Sequence, residues 1–155
     1  MAACPNCGDD FERLGLHWSH GTCPYPELDR KQRQLLTGVL IGDGSIPRTK
    51  ENERFCVPMI SRRFLRWFDE QIGMMMTGLR LKKTVTELAR LNRESGVSPH
   101  ANAERYHDIN TVWTRTHPYI TKLREWCDSG EKRFPDDLEL TSRVAAFWYA
   151  CDAYL

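Results

Sequence analysis

The segment Leu35 to Ile46, "LLTGVLIGDGSI", restricts what this chain can fold into more than any other. Leu28, Lys31, Leu35, Gly38, Val39 and Gly42 fall at helical spacing, which predicts a helix from Leu28 to Gly42 with Gly44 as a left-handed cap. Glycine inside a helix costs about 1 kcal/mol relative to alanine. Gly38 and Gly42 are one turn apart, so that cost implies a second helix approaching the bare backbone on this face. Asp43 then stands at the helix C-terminus, where the helix dipole disfavours an anion unless a positive group lies nearby. Something positive is required there.

The far end of the chain supplies the partner. "LTSRVAAFWYACDAYL", Leu140 to Leu155, is a second apolar run, with Thr141 placed to cap it, Ala146 and Ala150 one turn apart, and Asp152 near its end. Two helices packed through Gly38, Gly42, Ala146 and Ala150 and ending together bring Asp43 beside Asp152. Paired carboxylates repel unless a divalent cation lies between them. Such a site suits phosphodiester hydrolysis, in which a metal activates water and offsets developing negative charge.

At 155 residues the chain has the size of one main domain. No apolar run approaches the roughly 20 residues that span a bilayer, so no membrane is expected as a partner. The start, "MAACPNCGDD", has neither a basic opening nor an apolar core of an export signal, which predicts a cytoplasmic, reducing location and argues against disulfides. The formal net charge of +1 conceals segregation: residues 1–30 carry −3, residues 31–133 carry +7, and residues 134–155 carry −3. A basic middle between acidic ends favours a polyanion as partner.

Three of the six cysteines cluster early, in "CPNCGDDFERLGLHWSHGTC". A C-x2-C turn lets Cys4 and Cys7 reach one ion, and His17 with Cys23 completes the tetrahedral set that zinc prefers, with His20 as the rival fourth ligand. Residues 1–27 are thereby expected to form a zinc knuckle with Phe11, Leu14 and Leu16 as its small core, dependent on Zn²⁺ to fold. Four protein ligands leave no open position for catalysis, so the zinc is structural. Cys56, Cys127 and Cys151 read as small buried hydrophobes.

Between the two helices, "ERFCVPMISR" reads as a strand that Pro58 confines to an edge or bulge. "RRFLRWFDEQIGMMM" reads as an amphipathic helix through Met75 and Met76. "LRLKKTVTELARL" fits either a basic strand or a helix. "YHDINTVWTRT" reads as a strand, and "HPYITKLREWC" as a helix with Pro118 in its first turn.

These residues resemble the LAGLIDADG homing endonucleases. Leu36 to Gly44 matches the family signature in its first leucine, both glycines and final acid. The region from His117 onward looks like the second-motif region, with a His-Pro and aromatic stretch, a basic turn Glu131-Lys132-Arg133-Phe134-Pro135, and then the second apolar helix. The resemblance covers about residues 30 to 155 and is nearest the branch with two motifs in one chain. It implies an α+β fold of αββαββα order, comprising residues 28–141, with residues 142–155 as the second motif helix and two β-hairpins forming a curved sheet along the DNA major groove. It implies Mg²⁺ held by Asp43, Asp152 and the Gly42 carbonyl, with Lys132 activating water or neutralising the scissile phosphate. It also implies site-specific cleavage of double-stranded DNA, the chemistry of intron or intein mobility. The exposed basic residues of strands and turns are then the DNA-contact candidates: Arg48, Lys50, Arg54, Arg80, Lys82, Lys83, Arg105 and Arg115.

Two departures qualify the resemblance. The second motif reads Cys151-Asp152-Ala153, keeping one acid and losing the glycine. A two-motif enzyme continues beyond that point through a second domain, absent from these residues. The expectation is therefore either a truncated or degenerate enzyme, or a half completed by self-association or a second chain. The alternative function is a non-catalytic, zinc-containing DNA- or RNA-binding module on the same scaffold.

Overall fold

The computed structural model describes residues 1–21, 23–47 and 53–152, without the side chains of residues 128–130 and 152. Arg48 and Lys50, among the DNA-contact candidates, lie outside the described residues.

The N-terminal segment forms a two-residue hairpin, β1 (Ala2–Ala3) against β2 (Asp10–Phe11), and a one-and-a-half-turn helix α1 (Leu14–Ser19). Helix α2 (Arg30–Ile41) follows. Its start is fixed by a reciprocal cap: the Asp29 carboxylate accepts from the Gln32 backbone NH, and the Gln32 side chain accepts from the Asp29 NH. After β3 (Cys56–Met59) come α3 (Arg62–Ile72), β4 (Met76–Lys83), α4 (Val85–Glu94), β5 (Ile109–Thr114), α5 (Pro118–Arg124) and α6 (Ser142–Asp152).

The main sheet has the order β3-β5-β4, antiparallel throughout, with a further bridge from Ser45 to Cys56 on the β3 side. This mixed α+β architecture departs in two places from the expected αββαββα order. Among the described residues, the outer strand of the first hairpin is reduced to the Ser45 bridge. The second hairpin is interrupted by α4 and a 3-10 turn at Ala103–Arg105. The ambiguous "LRLKKTVTELARL" is thus strand and then helix. Thr84 makes the break, accepting from the Glu87 NH, while Asp108 accepts from the Val85 NH. Met75 and Met76 are not helical: α3 stops at Gly73, whose φ of 65° a side chain would disfavour, so Met75 falls in a 3-10 turn and Met76 opens β4.

The helices bury their apolar sides against one face of the sheet. Val57, Val112 and Leu79 align across the three strands in register and join Leu36, Leu65 and Phe68 in the core. Each large side chain buried there contributes about 1.5–3 kcal/mol. Cys4, Leu14 and Trp18 belong to the same core. The expected separate knuckle core of Phe11, Leu14 and Leu16 is accordingly not what forms: Leu14 is buried in the main core, Phe11 is half-buried, and Leu16 is 42% exposed. A six-residue helix has too few positions to fill a core of its own, and its apolar side is spent on the larger one. Among the described residues, no helix is long and apolar enough to cross a membrane.

Candidate metal and nucleic-acid site

Helices α2 and α6 run parallel, and their backbones touch. At their starts the Gln34 side chain donates to the Thr141 hydroxyl (3.2 Å), which also accepts from the Val144 NH and so caps α6. One turn on, a Cβ added to Gly38 would stand 2.5 Å from the Val144 carbonyl oxygen and 2.8 Å from Phe147 Cβ. One turn further, a Cβ on Gly42 would stand 2.5 Å from Cys151 Cβ. Both glycines are therefore required by the approach of α6. The α6 stripe that meets them is Val144, Phe147, Trp148 and Cys151. Ala146 and Ala150, the expected contacts, face outward instead. The glycines alone bring the backbones together, so α6 can present larger residues.

Helix α2 ends at Ile41, with Gly42 as its C-cap at φ −80° and ψ −120°. Gly44 is not a left-handed cap. A Cβ there would fall 2.6 Å from the Phe55 ring and 2.7 Å from the Val39 carbonyl oxygen, to which the Gly44 NH donates. Close packing of the turn against Phe55, just before β3, and against the α2 backbone is what demands glycine. Asp43 is exposed just beyond the helix end. The cation that the dipole argument requires is provided by Lys132, whose ammonium donates to the Gly42 carbonyl and, at 3.5 Å, to that of Ile41. Asp152 is the last residue of α6, so both helices finish at this corner, although the Asp152 side chain lies outside the description. Asp43 offers hard oxygen at this corner, the kind of ligand Mg²⁺ takes, while the Gly42 carbonyl already accepts from Lys132.

The remaining DNA-contact candidates divide by position. In β5, Val112 faces the core, so Thr111 and Trp113 face the other way, together with their register partners Pro58, Cys56 and Arg80. Arg80 and Lys82 are exposed, and the charge of Lys82 reaches the Cys56 thiol on that same face. Lys83 is half-buried at the strand end, and Arg105 is exposed in the 3-10 turn off the sheet. Arg54 and Arg115 flank the Phe55–Thr114 pair, in which the Thr114 NH donates to the Phe55 carbonyl and the Phe55 NH to the Thr114 hydroxyl. Arg115 is half-buried, its Nε donating to the Met74 carbonyl, and burial together with the Arg54 charge lowers its basicity. Sequence reasoning missed one tether of the N-terminal segment. His117 ties α5 to it, with Nε2 2.9 Å from the Pro26 carbonyl oxygen and Nδ1 accepting from the Tyr119 NH.

The structure brings Cys4, Cys7, His17 and Cys23 together with their ligand atoms all within 4.8 Å of one another. Tetrahedral zinc–thiolate bonds of about 2.3 Å place ligand atoms roughly 3.8 Å apart, so the set fits. His20 is not part of it and is exposed. Hydrogen bonds help give this site its shape: the Cys4 NH donates to the Asp9 carbonyl, the Gly8 NH to the Cys4 carbonyl, and the Trp18 indole to Cys4 Sγ. The Phe11 ring stacks on His17 at 3.9 Å. Burial pushes the Cys4 thiol up, but donation from Trp18, from the Asn6 and Cys7 backbone and from the Cys7 thiol outweighs it and brings Cys4 down to about 6. Burial, then hydrogen bonding to Cys7 and Cys4 and their charges, pushes Cys23 up to about 11. Thiols this close cannot all ionise without a cation among them.

No protein-family profile matches this chain, and no curated protein matches its sequence. Among solved structures it is similar to the homing endonuclease I-WcaI bound to its DNA recognition sequence, with a TM-score of 0.67 and 16% sequence identity. The match covers 94% of this chain and 59% of that one, so the chain spans about three fifths of its neighbour's length. What the two share is the α+β fold.

Proposed function

We propose that this protein is a site-specific DNA endonuclease of the LAGLIDADG type that hydrolyses phosphodiester bonds with Mg²⁺ and is stabilised by Zn²⁺ on Cys4, Cys7, His17 and Cys23. The observation that carries this reading is the parallel α2–α6 pair, closed at Gly38 and Gly42, with Lys132 on the Gly42 carbonyl at the helix end that leads into Asp43. Asp43 and Asp152 would hold the Mg²⁺, which would supply Lewis acidity toward a phosphate oxygen and an acidified water. Lys132 offers a positive charge at the same corner for the scissile phosphate. Double-stranded DNA is the substrate, laid along the sheet face that carries Arg80 and Lys82, with Arg54 and Arg115 at its end neutralising phosphates. The DNA-bound neighbour supports that partner.

The test uses a plasmid pool carrying randomised target sites, incubated with zinc-loaded protein and Mg²⁺, with cleaved ends captured and sequenced. Wild type should give metal-dependent cuts at a common motif, and Asp43→Asn should bind duplex but yield none. Salt-dependent binding of duplex by wild type with no metal-dependent cut would instead identify a non-catalytic nucleic-acid-binding module.

A further inference from the structure

Helix α1 lies directly on the stem of Arg115. A Cβ added to Gly15 would stand 3.5 Å from Arg115 Cβ and 3.9 Å from its Cγ and Cδ. The methylene groups of Arg115 are thus laid along the α1 backbone, while its Nε is held from the other side by the Met74 carbonyl, 2.9 Å away. Two residues after Gly15 comes His17, one of the four clustered ligand residues, and then Trp18, whose indole donates to Cys4 Sγ. The segment that clamps Arg115 is therefore the segment the cluster fixes. On the sheet side, the Phe55–Thr114 hydrogen bonds set Arg54 next to Arg115. Among the described residues, neither arginine is in an ion pair. Two neighbouring guanidinium groups without a carboxylate repel each other, and a phosphate oxygen between them relieves that repulsion while accepting from both.

We propose that zinc on the Cys4–Cys7–His17–Cys23 cluster positions Arg115 beside Arg54 as a two-arginine phosphate contact, so that metal loading of the knuckle regulates how tightly the sheet holds DNA. The proposal rests on the reading of the sheet as a DNA-binding surface. Residues 1–30 carry a net charge of −3, so the knuckle is a poor phosphate ligand by itself. Its effect on DNA passes through the arginine it braces. Gly15 and the cluster are positioning elements, and Arg115 is the group that touches the ligand.

The experiment measures binding of zinc-loaded full chain to a fluorescently labelled mixed-sequence duplex over a salt series, for wild type, Gly15→Leu, Arg115→Ala and the double variant. Cobalt(II) absorption of each protein reports whether the cluster is intact. Loss of one phosphate contact lowers the log–log salt slope by about 1 and changes affinity about threefold between 50 and 200 mM salt. Gly15→Leu, with its cobalt spectrum unchanged, should lose as much as Arg115→Ala, and the double variant no more than either. Binding by Gly15→Leu equal to wild type, or additive losses in the double variant, overturns the proposal. If Gly15→Leu fails to take cobalt, the deciding arm is chelation: stripping zinc must cost wild type more affinity than it costs Arg115→Ala, and equal costs overturn the proposal. Salt-dependent binding without this coupling leaves the DNA reading intact, whereas no duplex binding by zinc-loaded wild type removes both.

Discussion

Lys132 places its ammonium on the carbonyl of Gly42, capping the helix whose last turn leads into Asp43. A cation at a helix C-terminus contributes about 0.3–1 kcal/mol. Lys132→Met is expected to lower stability by no more than that, measured by urea unfolding without divalent metal. DNA cleavage should fall by orders of magnitude, because the same charge faces the proposed scissile phosphate. An activity loss matched by an equally large loss of fold would make Lys132 a cap and nothing more.

Gly38 separates packing from chemistry. A side chain there meets Val144 backbone at 2.5 Å, an atom that cannot rotate away. Gly38→Leu should therefore destabilise by about 1–3 kcal/mol or more through overpacking. Asp43→Asn should leave the melting temperature unchanged or raise it without metal, and should remove stabilisation by added Mg²⁺ or Ca²⁺. Thermal melts of both variants with and without these ions check the pair. Equal destabilisation by the two would mean that the helix end is purely a packing device.

The N-terminal cluster makes its own forecast. Protein purified without added metal should carry one tightly bound zinc, read by elemental analysis. His17→Ala should lose it, while His20→Ala should keep it, since His20 stands outside the four-residue group. Because Cys4 and Trp18 are core residues, chelation should lower the melting temperature of the whole domain. Retention of zinc by His17→Ala with loss in His20→Ala would reverse the ligand assignment.

His117 gives a pH signature. Burial, with a smaller contribution from the Arg33 charge, lowers its pKa, and the Pro26 carbonyl only partly opposes this. The folded state thus resists protonation, so its stability is complete above the unfolded value of about 6.5 and is lost as pH falls below that value. His117→Asn keeps an acceptor at the start of α5 and should flatten this dependence. Urea unfolding of both proteins at constant zinc, above and below about pH 6.5, isolates the histidine by subtraction. An identical slope in the two would assign the acid sensitivity to other groups.

Much of this was legible in the sequence for a definable reason. The glycine spacing of α2, the Thr141 cap and the Cys-x2-Cys cluster are local patterns tied to steric or ligand geometry, and each can be read without knowing the fold. The α4 insertion was also signalled locally, by Thr84 three residues before Glu87, but a basic strand reading competed over the same residues. Other features depend on tertiary neighbours that no window contains. Gly44 is small because of Phe55, Leu14 is buried by the main core, and Arg115 is half-buried because Gly15 lies on it. Pairing across the sheet, and the outward turn of Ala146 and Ala150, belong to the same class.

Strand β4 has one more consequence for the proposed enzyme. Its eight residues, Met76–Lys83, rise about 26 Å at 3.3 Å per residue, the length of roughly eight base-pair steps. Beyond Lys83 the chain turns away into residues 84–108, which carry four acidic and three basic side chains, a net −1 against the +7 of residues 31–133. The strand is in that sense a ruler with a marked end. On the proposed reading, the number of base pairs the sheet spans would be set by backbone length and by where the chain leaves the sheet, while which bases it reads would be left to the side chains between. Extending β4 by two residues would lengthen the footprint without touching a single arginine.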